Sequence, residues 1–469
     1  MKDPTAYSLM IRYDTVSELD IHRLRDALTT TMQHHDSLQT CFFARSQDNQ
    51  PMQGLLLFPV RRFKHVPYAT DHDIEQELQA SRDKVWDIEH GETLSLTVLS
   101  QSSKKHTLIL GYHHIIFDAS SMRRFKRDLS SAYNMRPLKR DFGTCIEYAR
   151  QEHQDKESNM LESNMQYWRK EFSIQDEVLP LLPLSNNTMR PDSRHVSSSH
   201  AECMIDEETV KATKQELLAQ SPGRQDICVG AADANRPDTK YRETIGFFLN
   251  LLPVRFQVPA ESTFTEIALN TAKKVGEALE RSVPFNIILD ELNISRSSAH
   301  TPMFQALVNY RLAMTKEVKP FDTGTLTITD GEEGRNLYDI TFSFLESQTG
   351  GLGVTLDSSA SIYDAHATNT LVNMYQFVLK GIEANVNVKV GECQIHDPSA
   401  VSAALQLGQG KQEQFSTESR TIAEKIAQIS QTYPGRVATC DRLSNLTYQQ
   451  LAERVESVAA AIKQIARVY

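Results

Sequence analysis

The 469-residue chain is poor in cysteine, with six, and has two tryptophans. The cysteines, Cys41, Cys145, Cys203, Cys228, Cys393 and Cys440, are widely spaced and form no CxxC pair. The start, Met1 to Arg12, lacks the basic-then-apolar design of a secretory leader. Scattered cysteines in such a chain are expected to be reduced, mostly buried small apolar residues of a cytoplasmic protein, with no zinc centre. The sequons at Asn186, Asn293 and Asn445 therefore carry little weight. No stretch approaches the ~18 uninterrupted apolar residues of a membrane span, so no membrane partner is expected. There is no Lys/Arg block, and 50 Lys+Arg against 60 Asp+Glu leave a net charge of −10, so no nucleic-acid footprint is visible. Against these absences, 40% hydrophobic and 23% charged residues are ordinary for a globular protein. The length suggests about two to four folded units with a core that needs no staple.

Strands and helices alternate along the chain. YSLMIRY at Tyr7–Tyr13 has strand character. Asp20 then caps a helix whose Ile21, Leu24, Leu28 and Met32 share one face. A short strand is expected at Leu38–Phe43, an apolar run follows at Gly54–Val60, and helical pattern returns at Ile74–Trp86. Leu94–Leu99 and Thr107–Tyr112 form a strand pair across a polar turn. Met122, Phe125, Leu129 and Tyr133 make another helical stripe. The Pro/Ser/Asn-rich segment Leu179–Ser199 has the composition of a linker. A second α/β block follows, with helices at Phe264–Arg281 and Ala367–Ala384 and strands at Ile227–Ala231, Ala306–Tyr310 and Tyr338–Leu345. A second polar linker is expected at Ala400–Glu418. The last fifty residues are too few for a comfortable core of their own and look like the start of something larger. The alternation indicates a mixed α/β sandwich, neither bundle nor barrel.

GYHHIIFDASS, Gly111 to Ser121, is the segment most suggestive of chemistry. A strand runs into His113 and His114, and Asp118 follows four residues after His114. Side chains alternate on a strand, so the two imidazoles face opposite ways and do not easily share a metal. One can enter a cavity while the other packs inward, and Asp118 can turn back to anchor the backbone. That arrangement suits a single positioned general base. An HxxxD match alone is nevertheless common, and a structural histidine is the usual occupant of such a pattern.

HHIIFDA resembles the HHxxxDG signature of nonribosomal peptide synthetase condensation domains. Further segments resemble the same family in the same order. These are MQHHDSLQTCFF at Met32–Phe43 (RHExLRTxF), Asp226–Gly230 with Ala234-Asn235-Arg236-Pro237 (DIVVG…ANR), and IGFFLNLLPVR at Ile245–Arg255 (IGFFVNTLPLR). Val283-Pro284-Phe285 with Ile288, Glu291 and Leu292, and HTPMFQ at His300–Gln305, complete the set. The wording is most similar to the condensation domains of fungal polyketide–peptide hybrid synthases. LTYQQL at Leu446–Leu451 is similar to the first core motif of an adenylation domain.

The resemblance implies two chloramphenicol-acetyltransferase-like lobes in a V-shaped pseudo-dimer. These are residues 1–178 and 201–398, joined by a linker at 179–200, with a second linker at 399–418 and a truncated adenylation fragment at 419–469. It implies amide formation between a carrier-bound acyl thioester, polyketide or peptidyl, and a carrier-bound aminoacyl amine in secondary-metabolite synthesis. The partners would be acyl and peptidyl carrier proteins or domains. Substrates would arrive as phosphopantetheine thioesters, with no cofactor or metal held by this chain. His114 would be the base or amine-positioning residue, with His113 supporting the loop and Asp118 orienting it through an ion pair. Asn235, Arg236 and Gly246 would line or support the channel. Phe247 and Phe248 are expected in the core, and for Asn250 and Arg255 core and channel roles stay open.

Four departures accompany the likeness. The chain begins downstream of the family's first motif (SxxQxxxW), so an initial element is expected to be absent. His34 and Gln39 stand where the family has arginines. Asp118 is therefore expected to lack a permanent cation, and His34, a further support residue, could replace it only when protonated. A family helix is expected to be deleted near 215–225. The adenylation portion stops at Tyr469. Ala119 in place of the motif glycine is a smaller difference. Such departures fit a gene fragment, a mis-spliced gene or a decaying remnant of impaired activity. They keep two alternatives open, a silent remnant that only docks carrier or synthase modules and a coenzyme A-dependent HxxxD acyltransferase.

Overall fold

A computed structural model describes residues 4–5, 7–158, 160–173, 178–191, 197–205, 226–236, 238–312, 317–321, 324–330, 336–346, 351–398, 401–402, 405, 408, 421–440 and 445–465. Two compact units are present, Met1–Asp397 and Pro398–Tyr469. The expected deletion near 215–225 and most of the 399–418 linker lie outside the described residues.

The first unit begins with β1 (Ser8–Val16), α1 (Ile21–His34), β2 (Thr40–Ala44), β3 (Pro51–Leu55), β4 (Arg62–Pro67), α2 (Asp71–Arg82), β5 (Leu94–Ser100) and β6 (Lys105–His113). Then come α3 (Ala119–Tyr133), α4 (Cys145–Glu157), α5 (Glu162–Glu171), β7 (Ser198–Ile205), β8 (Asp226–Asp233), β9 (Asn250–Gln257), α6 (Phe264–Glu280) and α7 (Phe285–Glu291). The unit ends with β10 (Ala306–Leu312), β11 (Glu317–Phe321), β12 (Gly324–Asp330), β13 (Ile340–Glu346), β14 (Leu352–Ser359) and α8 (Ala365–Ala384). Two six-stranded sheets result, in the orders β11-β12-β1-β6-β5-β4 and β7-β14-β13-β10-β8-β9. The mixed α/β class expected from the alternation is what forms. Among the described residues, no helix is long and apolar enough to cross a membrane.

The first core lies between the first sheet and α1 with α3. Leu24, Leu28 and Met32 of α1 and Met122 and Phe125 of α3 cover Leu108, Leu110 and Tyr112 of β6. Asp20 starts α1 by accepting the Arg23 amide at 3.0 Å. The second core joins Ile227, Val229, Leu252, Val254 and Phe256 to Phe304. It needs a glycine at position 230, because a Cβ there would lie 2.2 Å from the Phe304 ring. A third cluster seats Val378, Leu379 and Ile382 of α8 on Phe344 and Val354.

Chain order and packing order differ in three places. Met165, Trp168 and Phe172, in and just after α5, belong to the second core although they precede the expected lobe boundary at 178. β12 leaves the second half and pairs antiparallel with β1 in the first sheet. Within the expected 179–200 linker, the described residues 179–191 are held by distant partners. The Leu179 amide donates to Gln305 Oε1 at 2.8 Å, the Leu182 amide to the Tyr363 hydroxyl at 3.0 Å, and Arg190 pairs with Asp339 at 2.6 Å. Leu181, Leu182 and Leu184 pack on the cluster of Ile362 and Tyr363, Leu179 packs on the second core, and residues from Ser198 belong to β7. The apolar run Gly54–Val60 is also not core past β3, for Leu57 and Phe58 are exposed.

The second unit holds α9 (Ile422–Thr432), capped by Thr421, then the antiparallel pair β15 (Val437–Cys440) and β16 (Asn445–Thr447), and α10 (Tyr448–Ile465). The two helical patterns around a strand at Arg436–Cys440 therefore form as expected.

Candidate active site

The site is built where β6 ends. β6 is central in its sheet, pairing with β1 on one side and β5 on the other, so its last residue is rigidly placed. One helical turn, His114–Ile116, carries the chain into α3. Asp118 caps α3, accepting from the Ser121 amide at 2.7 Å and the Ser121 hydroxyl at 2.8 Å.

The two histidines part as strand geometry requires. His113 accepts the Ile115 amide on Nδ1 at 3.1 Å and its ring lies near Tyr7. Burial, with the neighbouring His114, pushes its imidazole down to about 4, so it is neutral near pH 7. His114 is half-buried, and its Nδ1 lies 2.6 Å from the Phe117 carbonyl oxygen. A carbonyl can only accept, so Nδ1 carries a proton, and in the neutral tautomer this selects, Nε2 holds the lone pair. Among the described residues Nε2 has no hydrogen-bond partner. The Phe247 ring meets the imidazole edge to face, with centroids 5.1 Å apart at 83°.

Asp118 does have a permanent cation, and it comes from the other half of the chain. Arg236 donates to Asp118 Oδ2 at 2.7 Å, with side chains 5% and 7% exposed. This corrects the expectation that the loss of the family arginine leaves Asp118 without a fixed cation. The same guanidinium donates to the carbonyls of Tyr241 and Thr244 at 2.7 Å each and to the Ser121 hydroxyl at 3.0 Å, and it lies 4.1 Å from the Phe248 ring centroid. The one Ser121 hydroxyl proton is shared between Asp118 and the Gly246 carbonyl, which lies 2.7 Å from Oγ, and Oγ accepts the Gly246 amide at 3.0 Å. The Phe248 amide reaches Asp118 Oδ2 at 3.3 Å. Position 246 has to be glycine here, since a Cβ would come within 2.8 Å of Cys145 Sγ and of the Phe248 ring.

Asn235 sits just before this arginine with φ 50°, a backbone state asparagine tolerates. Its amide nitrogen donates to the Tyr148 hydroxyl at 2.9 Å. Asp118, Arg236 and Gly246 thus share one hydrogen-bond network through Ser121, Asn235 joins its edge through Tyr148, His114 touches the same segment at Phe247, and His113 stays outside it against Ile115 and Tyr7. His34 is directed elsewhere. Its Nε2 donates to the Lys139 carbonyl at 2.9 Å, and its ring packs against His35 and Phe142. It cannot serve as the cation of Asp118 while it holds that contact. The potential ligand atoms of His34, His35 and Asp128 lie within 4.8 Å of one another. Asp128 Oδ2 already takes His35 at 2.9 Å and the buried Arg124 guanidinium at 2.6 Å, so its charge is balanced by a protein cation.

The two phenylalanines also separate. Phe248 is in the core, as expected, but Phe247 is 44% exposed. Asn250 and Arg255 take structural roles. Asn250 holds the Val283 carbonyl and the Phe285 amide at 2.9 and 3.0 Å, and Arg255 pairs with Asp226. Ser121 and Tyr148 were not identified from sequence. The serine lay within the motif segment, whereas nothing in the sequence around Tyr148 marks it.

The profile of the condensation-domain family matches this chain over residues 1–222 and 215–402. A hybrid polyketide synthase–nonribosomal peptide synthetase of Penicillium oxalicum, opdA, is 41% identical over 99% of the chain, and iliA of a Neonectria species is 34% identical over 99%. Tenellin synthetase of Beauveria bassiana is 32% identical over 98%. The chain spans about 12% of the length of each of these relatives. Among solved structures, the condensation domain of the monacolin K polyketide synthase MokA superposes with a TM-score of 0.73 at 22% identity, covering 82% of this chain and 94% of that one. The X-domain from teicoplanin biosynthesis gives 0.73 at 21%, covering 83% and 93%. A histidine held at the end of a central strand, the two-lobed fold and the profile match agree, and the chain belongs to the condensation-domain family.

Proposed function

We propose that the chain joins a carrier-bound acyl thioester to a carrier-bound aminoacyl amine, forming an amide, as part of a hybrid polyketide–peptide synthesis. The donors and acceptors would be phosphopantetheine thioesters on acyl and peptidyl carrier domains. The carrying observation is the tautomer of His114. With Nδ1–H bound to Phe117, Nε2 is the nitrogen that accepts in the neutral ring, which is what an attacking amine requires. The amine nitrogen forms a bond to the thioester carbonyl carbon and the C–S bond breaks. The proton leaves the nitrogen for Nε2 and passes to the departing thiolate. His113, neutral and turned inward, supports the backbone beside it. Asp118 and Arg236 hold the loop. Much of the rate would come from positioning, because both reactants arrive tethered. Residues 419–469 are read as the opening of an adenylation domain, with LTYQQL at the junction of β16 and α10.

The test supplies the purified chain with an acyl-carrier donor and an aminoacyl-carrier acceptor and follows amide product by mass spectrometry. His114→Ala is expected to lower product formation by about 10²–10⁴-fold while leaving the melting temperature unchanged. An equally active His114→Ala protein would refute the assignment. No product from a folded wild-type sample would favour a silent docking remnant. Transfer from free coenzyme A thioesters, but not from carriers, would favour the coenzyme A-dependent acyltransferase.

A further inference from the structure

Phe247 is placed by constraints on both of its neighbours. On one side Gly246 is fixed through its amide and carbonyl to Ser121. On the other, the Phe248 amide is held by Asp118 and its ring packs against Tyr148, with centroids 4.6 Å apart, and under the Arg236 guanidinium. Ile245 and Phe248 are buried, at 0% and 2% exposure. The segment has no freedom to turn Phe247 inward, yet the ring stays 44% exposed. A phenylalanine left in water forgoes the burial that stabilises a core residue. Its edge-to-face contact is with His114, whose Nε2 has no protein partner among the described residues. An apolar ring held rigidly beside an acceptor that has no protein partner among the described residues is suited to being covered by substrate.

We infer that Phe247 is a substrate-contacting residue, and that it packs against a hydrocarbon group within a side-chain length of the reacting carbonyl or amine. This rests on the amide-forming reading above. The hydrocarbon comes either from the acyl chain of the donor or from the side chain of the acceptor amino acid. In both cases the ring also keeps water from Nε2 and selects apolar over polar substrate at that point.

The experiment compares wild type with Phe247→Ala and Phe247→Leu in two series. One varies the donor from short to long acyl chains with a single acceptor. The other varies the acceptor from glycyl to leucyl and phenylalanyl carriers with a single donor. A parallel calorimetric titration uses unreactive acyl-pantetheine amides and needs no turnover. Phe247→Ala is expected to cut kcat/KM for the most apolar members of one series by roughly ten-fold or more, with little change for the smallest member. Phe247→Leu should recover most of that discrimination. Dependence on the donor series, with weaker amide binding, identifies the acyl chain as the contact. Dependence on the acceptor series, with amide binding unchanged, identifies the amino-acid side chain. A loss uniform across both series, or no loss at all, overturns the inference. Melting curves of both variants should match wild type, because the ring is half exposed. Failure of wild type to make any amide, with calorimetric discrimination still lost in Phe247→Ala, would refute the reaction and keep the contact.

Discussion

Replacing Arg236 by methionine removes the guanidinium but keeps the length of an apolar side chain. Its partner Asp118 would stay buried at 7% exposure with only the Ser121 amide and hydroxyl and the Phe248 amide as donors. The carbonyls of Tyr241 and Thr244 would lose a donor at 2.7 Å each. Removing one partner of a buried ion pair costs about 3–5 kcal/mol, since the other charge is left without compensation. That corresponds to roughly two to four powers of ten in the folding equilibrium. Urea unfolding followed by far-ultraviolet circular dichroism and tryptophan fluorescence is the assay. Trp168 reports from the second core and Trp86 from beside Gly111 on the first sheet. The midpoint should fall sharply in both signals. Arg236→Lys should recover only part of the loss, because an ammonium cannot reach Asp118 and two carbonyls in fork geometry. Asp118→Asn keeps the cap of α3 but removes the charge, so its combination with Arg236→Met should cost less than the sum of the two. An unchanged midpoint in Arg236→Met, or strict additivity in the double variant, would refute the pairing as the link between the two halves.

Other expectations are as specific. With its imidazole pushed from 6.5 down to about 4, His113 binds a proton more readily in the unfolded chain, so it contributes stability that is present above pH 6.5 and is lost as pH falls towards 4. His113→Gln should flatten the stability profile between pH 6.5 and 5 relative to wild type, and parallel profiles would contradict this. Gly246→Ala should cost about 1–3 kcal/mol by overpacking against Cys145 and Phe248, with part of it restored by adding Cys145→Ala. Full additivity of the two changes would show that Cys145 is not the obstacle. Burial, with Asp36 nearby, pushes the Cys145 thiol up to about 12. Iodoacetamide at pH 8 should therefore modify the exposed Cys440 in the native protein and Cys145 only on unfolding, as peptide mass mapping would show. Equal native labelling of the two would refute the buried environment.

Local pattern was enough to read most elements. Leu24, Leu28 and Met32 mark the buried face of α1, and the two strand-like runs Leu94–Leu99 and Thr107–Tyr112 across the polar turn Gln101–Lys105 mark the β5–β6 pair because the hairpin is local. What was illegible depends on contacts distant in sequence. The 179–191 stretch has the proline and serine of a linker, yet Arg190 finds Asp339, 149 residues on. Composition cannot distinguish a free segment from one pinned by partners that far away. α5 precedes the expected boundary but contributes Trp168 to the second core, where its indole donates to the Arg281 carbonyl at 2.8 Å. β12 crosses to pair with β1, and nothing in its seven residues names the sheet that takes it.

The same distinction explains the active site. HHIIFDA revealed His114 and Asp118 because both lie on one strand–turn–helix unit, where spacing dictates geometry. The cation of Asp118 could not be found that way. Positions 34 and 39 lack the arginines of the family motif, and in sequence the nearest ionisable substitute is His34. The structure meets the same electrostatic need with Arg236, 118 residues away in the ANR segment, a residue that the resemblance implies only as lining or supporting the channel. A buried carboxylate requires a cation, and it does not specify which element supplies it. The replacement has a consequence beyond charge balance. A cation on α1 or the β2 region would tie Asp118 to its own half of the fold, whereas Arg236 ties it to the segment that also carries Gly246, Phe247 and Phe248. The position of His114 therefore depends on the docking of the second half against the first. A substitution that loosens that docking, such as Arg236→Met, should disturb the imidazole even though it lies outside the reacting groups.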